Sequence, residues 1–341
     1  MSGTHAALRS ATNGASALAL KKQMDSKFAK KGAAQGLVSG LTFAVNGVII
    51  GIALSMIPAT ADASIFIAPL VAATMNDSMS ALWLLIYNIY KGRGKEIIRS
   101  IKTFPGFMIC LAAIMGGPVA NGAYLLAIAF SGAAYAMQIS AIYPVIGAIL
   151  ARIFLKQKIS IRVAAGMSVC VVGAILIGYA PPSGDVLPNF YLGLICAGIA
   201  AFGWASEGVL SVAGMAMVDP EVAINIRQIT SGTVFSLVVL PIIGGYALYA
   251  QVLTTPNIMM VIAAAALAGS ISFLAWYKAN SSIGVAKGMA LNSTFSLWGI
   301  VFPFFISGLV ITTNLVIGAI AVFCGAILVV MNPMELIRKE N

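Results

Sequence analysis

The sequence predicts an all-α integral membrane protein. Its ten transmembrane helices form a five-plus-five inverted-topology repeat, with both termini cytoplasmic. Three observations predict this. The chain of 341 residues is 60% hydrophobic and only 9% charged, with a mean hydropathy of +0.99. That excludes an ordinary soluble domain. Ten apolar runs are long enough to cross ~30 Å of hydrocarbon, which takes about 20 residues each. Finally, Gly132 to Pro182 aligns without a gap onto Gly284 to Met334, an offset of 152 with eleven identities in 51 pairs. These include the run Gly173-Ala174-Ile175-Leu176 against Gly325-Ala326-Ile327-Leu328 and the proline Pro181 against Pro333. A shorter match joins Gly36, Leu37, Ala44 and Gly51 to Gly193, Leu194, Ala201 and Gly208 at an offset of 157. Repeated halves are common among transporters.

The leader 1–33 is rich in Ala, Ser and Lys and reads as a mobile or interfacial cytoplasmic tail. The spans fall at 34–56, 64–90, 104–130, 133–154 and 161–180 in a first repeat, 34–182. Those at 190–214, 222–248, 257–279, 284–306 and 312–332 make the second, inverted repeat, 183–333, before a cytoplasmic tail at 334–341. Charge fixes the orientation. With the N-terminus inside, none of the 20 Lys and Arg residues lies in an outside loop, as the positive-inside rule requires. The net charge of +10 therefore reports topology rather than nucleic-acid binding. Five spans per half is an odd number, so the second copy enters the membrane from the other side. The four cysteines all fall in apolar segments, and neither a disulfide framework nor a metal site is suggested.

The stretch SGAAYAMQISAIYPVIGAILARIFLKQKISIRVAAGMSVCVVGAILIG carries small residues, a Tyr-Pro in mid-helix, a short basic turn and a glycine-rich fifth helix. With the five-plus-five layout it resembles the drug/metabolite transporter superfamily, of the EamA-like ten-helix type. The resemblance covers roughly residues 34–332. It implies a bundle in which spans one, three, four, six, eight and nine surround a central cavity. Relatives of this kind move amino acids, nucleotide sugars, sugar phosphates, choline or cationic drugs. One departure stands out: Pro144 aligns with Ser296, so the two central helices read as inequivalent.

Ionisable groups inside spans are the best pointers to function, because hydrocarbon penalises them. Asp77 lies near the middle of span two, for proton or cation coupling or as a packing carboxylate bonded to Asn76. Glu207 and Arg227 enter from the same side at similar depth and read as a salt bridge or as substrate contacts. Lys278 reads as a snorkelling side chain, whereas Lys287 lies deeper and is a coupling or gating candidate. Gly288, Asn292, Ser296 and Gly299 share one helix face. The face reads as cavity lining or as close packing, opposite Ala136, Ser140, Pro144 and Gly147. Pro144 and Pro118, the latter after Gly116-Gly117, are hinge candidates because each frees backbone carbonyls. Asn121 follows that break and offers a donor and an acceptor. Trp276 reads as part of an interfacial belt. Trp204 and Trp298 sit at mid-membrane, and Trp204 is one turn from Glu207, so together with Tyr143 and Tyr277 it can hold a quaternary ammonium.

The expected activity is secondary transport by alternating access, with an amino-acid-like or other zwitterionic metabolite as first substrate class and metabolite export as one direction. Choline-like or drug-like organic cations are the alternative. Arg227 and Lys287 favour the first class, Trp204 and Glu207 the second. Protons are a candidate coupling ion. The sequence contains no phosphate-binding P-loop and calls for no cofactor. A membrane enzyme lacks a convergent catalytic set, and a channel lacks a repeated filter. The setting expected is a bacterial inner membrane, as monomer or homodimer.

Overall fold

In the computed structural model, residues 2–57, 65–154, 161–179, 188–308 and 311–330 are described, and among them every regular element is helical. The first half comprises α1 (Ser2–Met56), α2 (Ile67–Tyr90), α3 (Gly94–Ile101), α4 (Phe104–Ile114), a π-helical stretch (Met115–Asn121), α5 (Gly122–Ser140), α6 (Tyr143–Phe154) and α7 (Ile161–Tyr179). The second comprises α8 (Phe190–Met215), α9 (Pro220–Val234), a second π-helical stretch (Phe235–Val239), α10 (Leu240–Ile243) and α11 (Tyr246–Leu253). It continues through α12 (Pro256–Ile283), α13 (Val285–Asn292), α14 (Phe295–Ser307) and α15 (Thr313–Val330). Among the described residues, six helical stretches are long and apolar enough to cross a membrane: 27–56, 67–90, 104–140, 190–215, 220–243 and 256–283. Shorter apolar helices cover 143–154, 164–177, 295–306 and 313–325. The chain is thus a multi-pass membrane protein.

Several boundaries differ from the sequence reading. The leader is helical from Ser2 and continuous with α1, because its Ala, Lys, Leu and Met residues are strong helix formers. The span expected at 222–248 ends at Ile243, where Gly244 takes a left-handed φ of 66°. The spans expected at 133–154 and 284–306 are each broken in two. Their breaks, Ala141-Ile142 and Ser293-Thr294, are related by the offset of 152. The Pro144/Ser296 difference therefore does not make these helices inequivalent, since Ser293-Thr294 interrupts the helix without a proline. The repeat boundary at 182–183 and the C-terminal tail lie outside the described residues.

The same operator relates Gly132 (φ 82°, ψ 155°) to Gly284 (φ 88°, ψ 153°). Side chains with a Cβ are essentially excluded from this conformation, so each glycine turns the chain sharply between neighbouring spans. Helix contacts repeat as well. Cys170 Sγ lies 3.3 Å from the Val322 carbonyl, and these two residues are mates at the 152 offset. A Cβ on Gly147 would meet Met289 Sδ at 2.9 Å, and one on Gly299 would meet Met137 Sδ at 2.6 Å. Those are one contact made twice. α1 runs antiparallel to α12, with Ser39 against Ser272 and Asn46 against Ala265. In the same way α8 runs against α4 and α5, Gly193 packing on Ser131 and Gly214 on Ile109. The buried core lies between these pairs, around Phe43, Tyr124, Trp204 and Phe273.

Candidate functional site

Two layers meet at the centre of the bundle. The first is ionic. α8 and α9 place Glu207 and Arg227 side by side, with Arg227 Nε 2.8 Å from Glu207 Oε1 and Nη2 3.1 Å from Oε2. Arg227 Nη1 also faces Asp77 Oδ2 of α2 at 3.4 Å and the side-chain oxygen of Gln228. Asp77 accepts further bonds from Asn121 Nδ2 at 2.8 Å and from the Ser231 hydroxyl. Tyr277 of α12 donates to Glu207 Oε1 at 2.8 Å. All three ionic side chains are 0% exposed, where each charge requires a partner. Two carboxylates stand against one guanidinium, so the fully ionised cluster carries one excess negative charge. The local backbone explains how it fits. A Cβ on Gly116 would overlap Glu207 Oε2 and come within 2.7 Å of Arg227 Nη2. The π-helical turn holding Gly116, Gly117 and Pro118 brings bare backbone against the ion cluster, the stretch from which the sequence expects a hinge.

The second layer is aromatic. A small cavity of about 20 Å³ is lined by Phe43, Tyr143, Trp204, Phe273, Trp276 and Phe295, with Ser272 and Asn292 as its polar edge. That is room for about one water molecule. Phe43 meets Trp204 edge-on with centroids 5.3 Å apart, and Tyr143 lies nearly parallel to Phe295 at 6.4 Å. The layers are joined twice. Trp204 Nε1 donates to Asn121 Oδ1 at 2.9 Å, linking the aromatic wall to Asp77, and the Arg227 guanidinium sits 5.0 Å from the Phe273 ring centroid. A chain of hydrogen bonds fixes the opposite wall. Tyr143 OH lies 2.8 Å from both the Met289 carbonyl and Asn292 Oδ1, and Asn292 Nδ2 donates to Ser39 Oγ at 2.7 Å. Tyr143 and Asn292 reach this position because both central helices break beside them.

The structure brings together Asp77, Asn121, Tyr143, Trp204, Glu207, Arg227, Tyr277 and Asn292 from the sequence candidates. It corrects others. Trp298 is 37% exposed and stacks on Phe302 away from the cavity. Trp276, expected at an interface, is buried in the cavity wall, because α12 continues to Ile283 and places it two turns inside. Ser140 is buried, bonded to the Met137 carbonyl, and does not line the aromatic cavity. Ser296 is also outside the cavity, its carbonyl accepting from Gln138 Nε2. Of the face from Gly288 to Gly299, only Asn292 reaches the cavity; Gly288 packs on Asn280 and Gly299 on Met137. Pro144 is the second residue of α6, where its missing N–H costs nothing. The Lys287 side chain lies outside the described residues.

Sequence reasoning missed Phe43, Phe273 and Phe295, and also a second ion cluster. At the C-terminal end of α2, Arg93 pairs with Asp219 at 2.7 Å and Glu221 at 2.9 Å. Tyr87 OH donates to Glu221 at 2.9 Å. Lys278, expected to snorkel, pairs with Glu221 as well. The signal in the sequence was Asp219-Pro220-Glu221, a helix start whose Asp219 side chain accepts from the Glu221 N–H at 2.8 Å. At the other end of α2 a vestibule of about 780 Å³ is bounded by Val48, Ser55, Ala68, Ser131, Tyr135, Asn189 and Pro303.

Comparison with known proteins agrees with this architecture. One curated relative, protein LicB of Haemophilus influenzae, is 28% identical over 198 residues, covering 56% of this chain and 63% of that protein. The chain therefore matches less than two thirds of that relative's length. A solved crystal structure superposes with a TM-score of 0.58 at 14% identity, over 90% of this chain and 99% of the other, which bears on the fold alone. The profile of the EamA-like transporter family matches residues 30–179 and again 191–331. The chain belongs to the EamA-like transporter family, a family of membrane transporters within the drug/metabolite transporter superfamily.

Proposed function

We propose that this transporter carries a small organic cation, of the quaternary ammonium class, by alternating access. The observation that carries the reading is the six-ring cavity set directly above an ion cluster with one carboxylate in excess. Aromatic faces attract a desolvated cation, and the excess charge offsets its desolvation. The zwitterion expected first from the sequence is disfavoured by the same geometry. A substrate carboxylate needs free donors, and four of the five N–H groups of Arg227 already serve Glu207, Asp77 or Gln228.

In this reading ten spans form two inverted five-helix repeats, 34–182 and 183–333, with both termini cytoplasmic. The antiparallel contacts related by the repeat operator support it, as does the distribution of Lys and Arg, which that topology places on one side of the membrane. The membrane is the cytoplasmic membrane of a bacterium, in line with the source of the relative. The Arg93–Asp219–Glu221–Lys278 cluster then closes the cytoplasmic side, and the vestibule faces outward. Substrate enters when the rings part, since about 20 Å³ cannot hold it. Asp77 and Glu207 are the groups through which protons compete with the cation.

Counterflow of labelled tetramethylammonium into proteoliposomes tests the reading. Saturable exchange is expected, inhibited by choline-type amines and weakened at least ten-fold by Trp204→Ala. Saturable exchange of neutral amino acids that quaternary amines do not inhibit would refute it.

A further inference from the structure

The ionic layer and the cytoplasmic cluster are joined by a row of buried amides that transport of a cation through the aromatic cavity does not use. On α9, Glu221, Asn225, Gln228 and Ser231 recur at spacings of four, three and three, one face of a helix. On α2, Asp77, Ala81, Leu84 and Asn88 recur at four, three and four. The two faces pack on each other. Ser231 meets Asp77, Asn225 Nδ2 donates to the Ala81 carbonyl at 3.1 Å, and Asn88 Nδ2 donates to the Glu221 carbonyl at 3.1 Å. Asn88, Asn225 and Gln228 are each 0% exposed. Each keeps one polar atom without a hydrogen-bond partner: Asn88 Oδ1, Asn225 Oδ1 and Gln228 Nε2.

Asn and Gln side chains also join packed membrane helices by hydrogen-bonding across the interface, as Asn225 and Asn88 do here, but packing alone does not account for the atoms left unmet. Three buried amides with unmet hydrogen-bonding atoms in one seam are expensive unless water completes them. We infer that the α2–α9 interface is a hydrated path that carries protons between the cytoplasmic ion cluster and Asp77, separate from the route taken by the substrate. The step is a transfer between hydronium and carboxylate. An O–H bond of hydronium breaks, its proton forms an O–H bond on an Asp77 carboxyl oxygen, and water remains; release reverses this. The amides hold the water and do not themselves exchange protons. The groups that set the charge at Asp77 are Arg227 and Ser231 from α9, Asn121 from the π-helical turn, and, through Arg227, Glu207 of α8 and Tyr277 of α12. Protonation removes the excess negative charge beneath the aromatic cavity, so the proton and the substrate cation exclude one another. This coupling rests on the cation reading above.

The test uses the full-length protein in proteoliposomes with Asn225→Leu, which fills the seam without polar atoms, and Asn225→Ser, which restores them. The infrared band of the protonated Asp77 carboxyl is identified by its loss in Asp77→Asn and followed after a pH jump. Asn225→Leu is expected to slow its appearance at least ten-fold and to cut accumulation of tetramethylammonium driven by a pH gradient by a similar factor. Counterflow without a gradient should stay within two-fold, and Asn225→Ser should recover both losses. An unchanged protonation rate, a wild-type carboxyl that does not titrate, or equal loss of counterflow overturns the inference. If Asn225→Leu does not fold, the smaller Asn225→Val makes the same test. Absence of tetramethylammonium counterflow in the wild type refutes the cation reading instead, while the infrared comparison still decides the seam.

Discussion

Replacing Gly116 by alanine adds one methyl group and changes no charge, yet it should dismantle the ion cluster. Its Cβ would overlap Glu207 Oε2 and stand 2.7 Å from Arg227 Nη2, well inside ordinary carbon–nitrogen contact. Both side chains are 0% exposed and have no solvent to retreat into. Either the bidentate pair opens or the π-helical turn shifts. Breaking a buried ion pair costs about 3–5 kcal/mol, and alanine returns up to about 1 kcal/mol through helix propensity. The net loss is roughly 2–4 kcal/mol, and at about 1.4 °C per kcal/mol for a chain of 341 residues the midpoint should fall by roughly 3–6 °C. Gly198→Ala is the matched control, because nothing lies within 4 Å of a Cβ there; its midpoint should hold or rise. The assay is thermal unfolding of the purified protein in detergent, with counterflow measured in parallel. A Gly116→Ala protein with unchanged midpoint and transport would refute the account of the ion cluster.

Arg227→Met leaves two buried carboxylates without their shared counter-ion and should cost about 3–5 kcal/mol; adding Glu207→Gln should recover part of that loss, and additive destabilisation in thermal unfolding would contradict the pairing. Glu221→Gln weakens the ties to Arg93 and Lys278, worth about 1–2 kcal/mol together. Labelling of a cysteine introduced at Ser211 by a cytoplasmic thiol reagent should accordingly accelerate by roughly five- to thirty-fold, and an unchanged rate would exclude a closing role. Trp276→Ala should lower tetramethylammonium affinity about ten-fold, whereas Trp298→Ala, outside the cavity, should leave it within about two-fold by equilibrium binding.

How far the sequence reaches depends on how rare a signal is against its background. Charges are 9% of the chain and costly in hydrocarbon, so Asp77, Glu207 and Arg227 stood out singly, and their depths along the spans brought Glu207 and Arg227 together. Aromatic residues are common in apolar helices, with Phe at 16 and Tyr at 10, and no spacing separates Phe43 or Phe295 from core filler. Facing is harder still. A helix that is apolar all round has no polar side to mark its inward face, which is why Trp298 had the right depth and the wrong direction. The break at Ser293-Thr294 escaped for a different reason. It carries no proline and depends on close approach from another helix, since a Cβ on Gly40 of α1 would meet the Asn292 carbonyl at 2.6 Å.

The repeat operator separates scaffold from chemistry. Gly132 and Gly284, Met137 and Met289, and Gly147 and Gly299 are mates that perform one structural task twice. Tyr143 and Phe295 are also mates, and they lie nearly parallel across the cavity, so the pseudo-twofold axis of the proposed inverted repeat would run through the aromatic layer. The polar groups break the symmetry. At the 157 offset Glu207 has Ile50 as its mate and Trp204 has Gly47; at 152, Tyr277 has Leu125 and Lys278 has Leu126. In the proposed alternating-access cycle, two identical halves would make the two access states equivalent by rotation and equal in energy. Here the ties proposed to close one end, Lys278 to Glu221 and Arg93 to Asp219, include a lysine whose mate at the other end is a leucine. Substituting Leu126 therefore cannot mimic loss of Lys278, and only changes on the Glu221 side should move the balance between access states. A Leu126 variant that shifts that balance as far as Glu221→Gln does would show that the two ends are energetically alike after all.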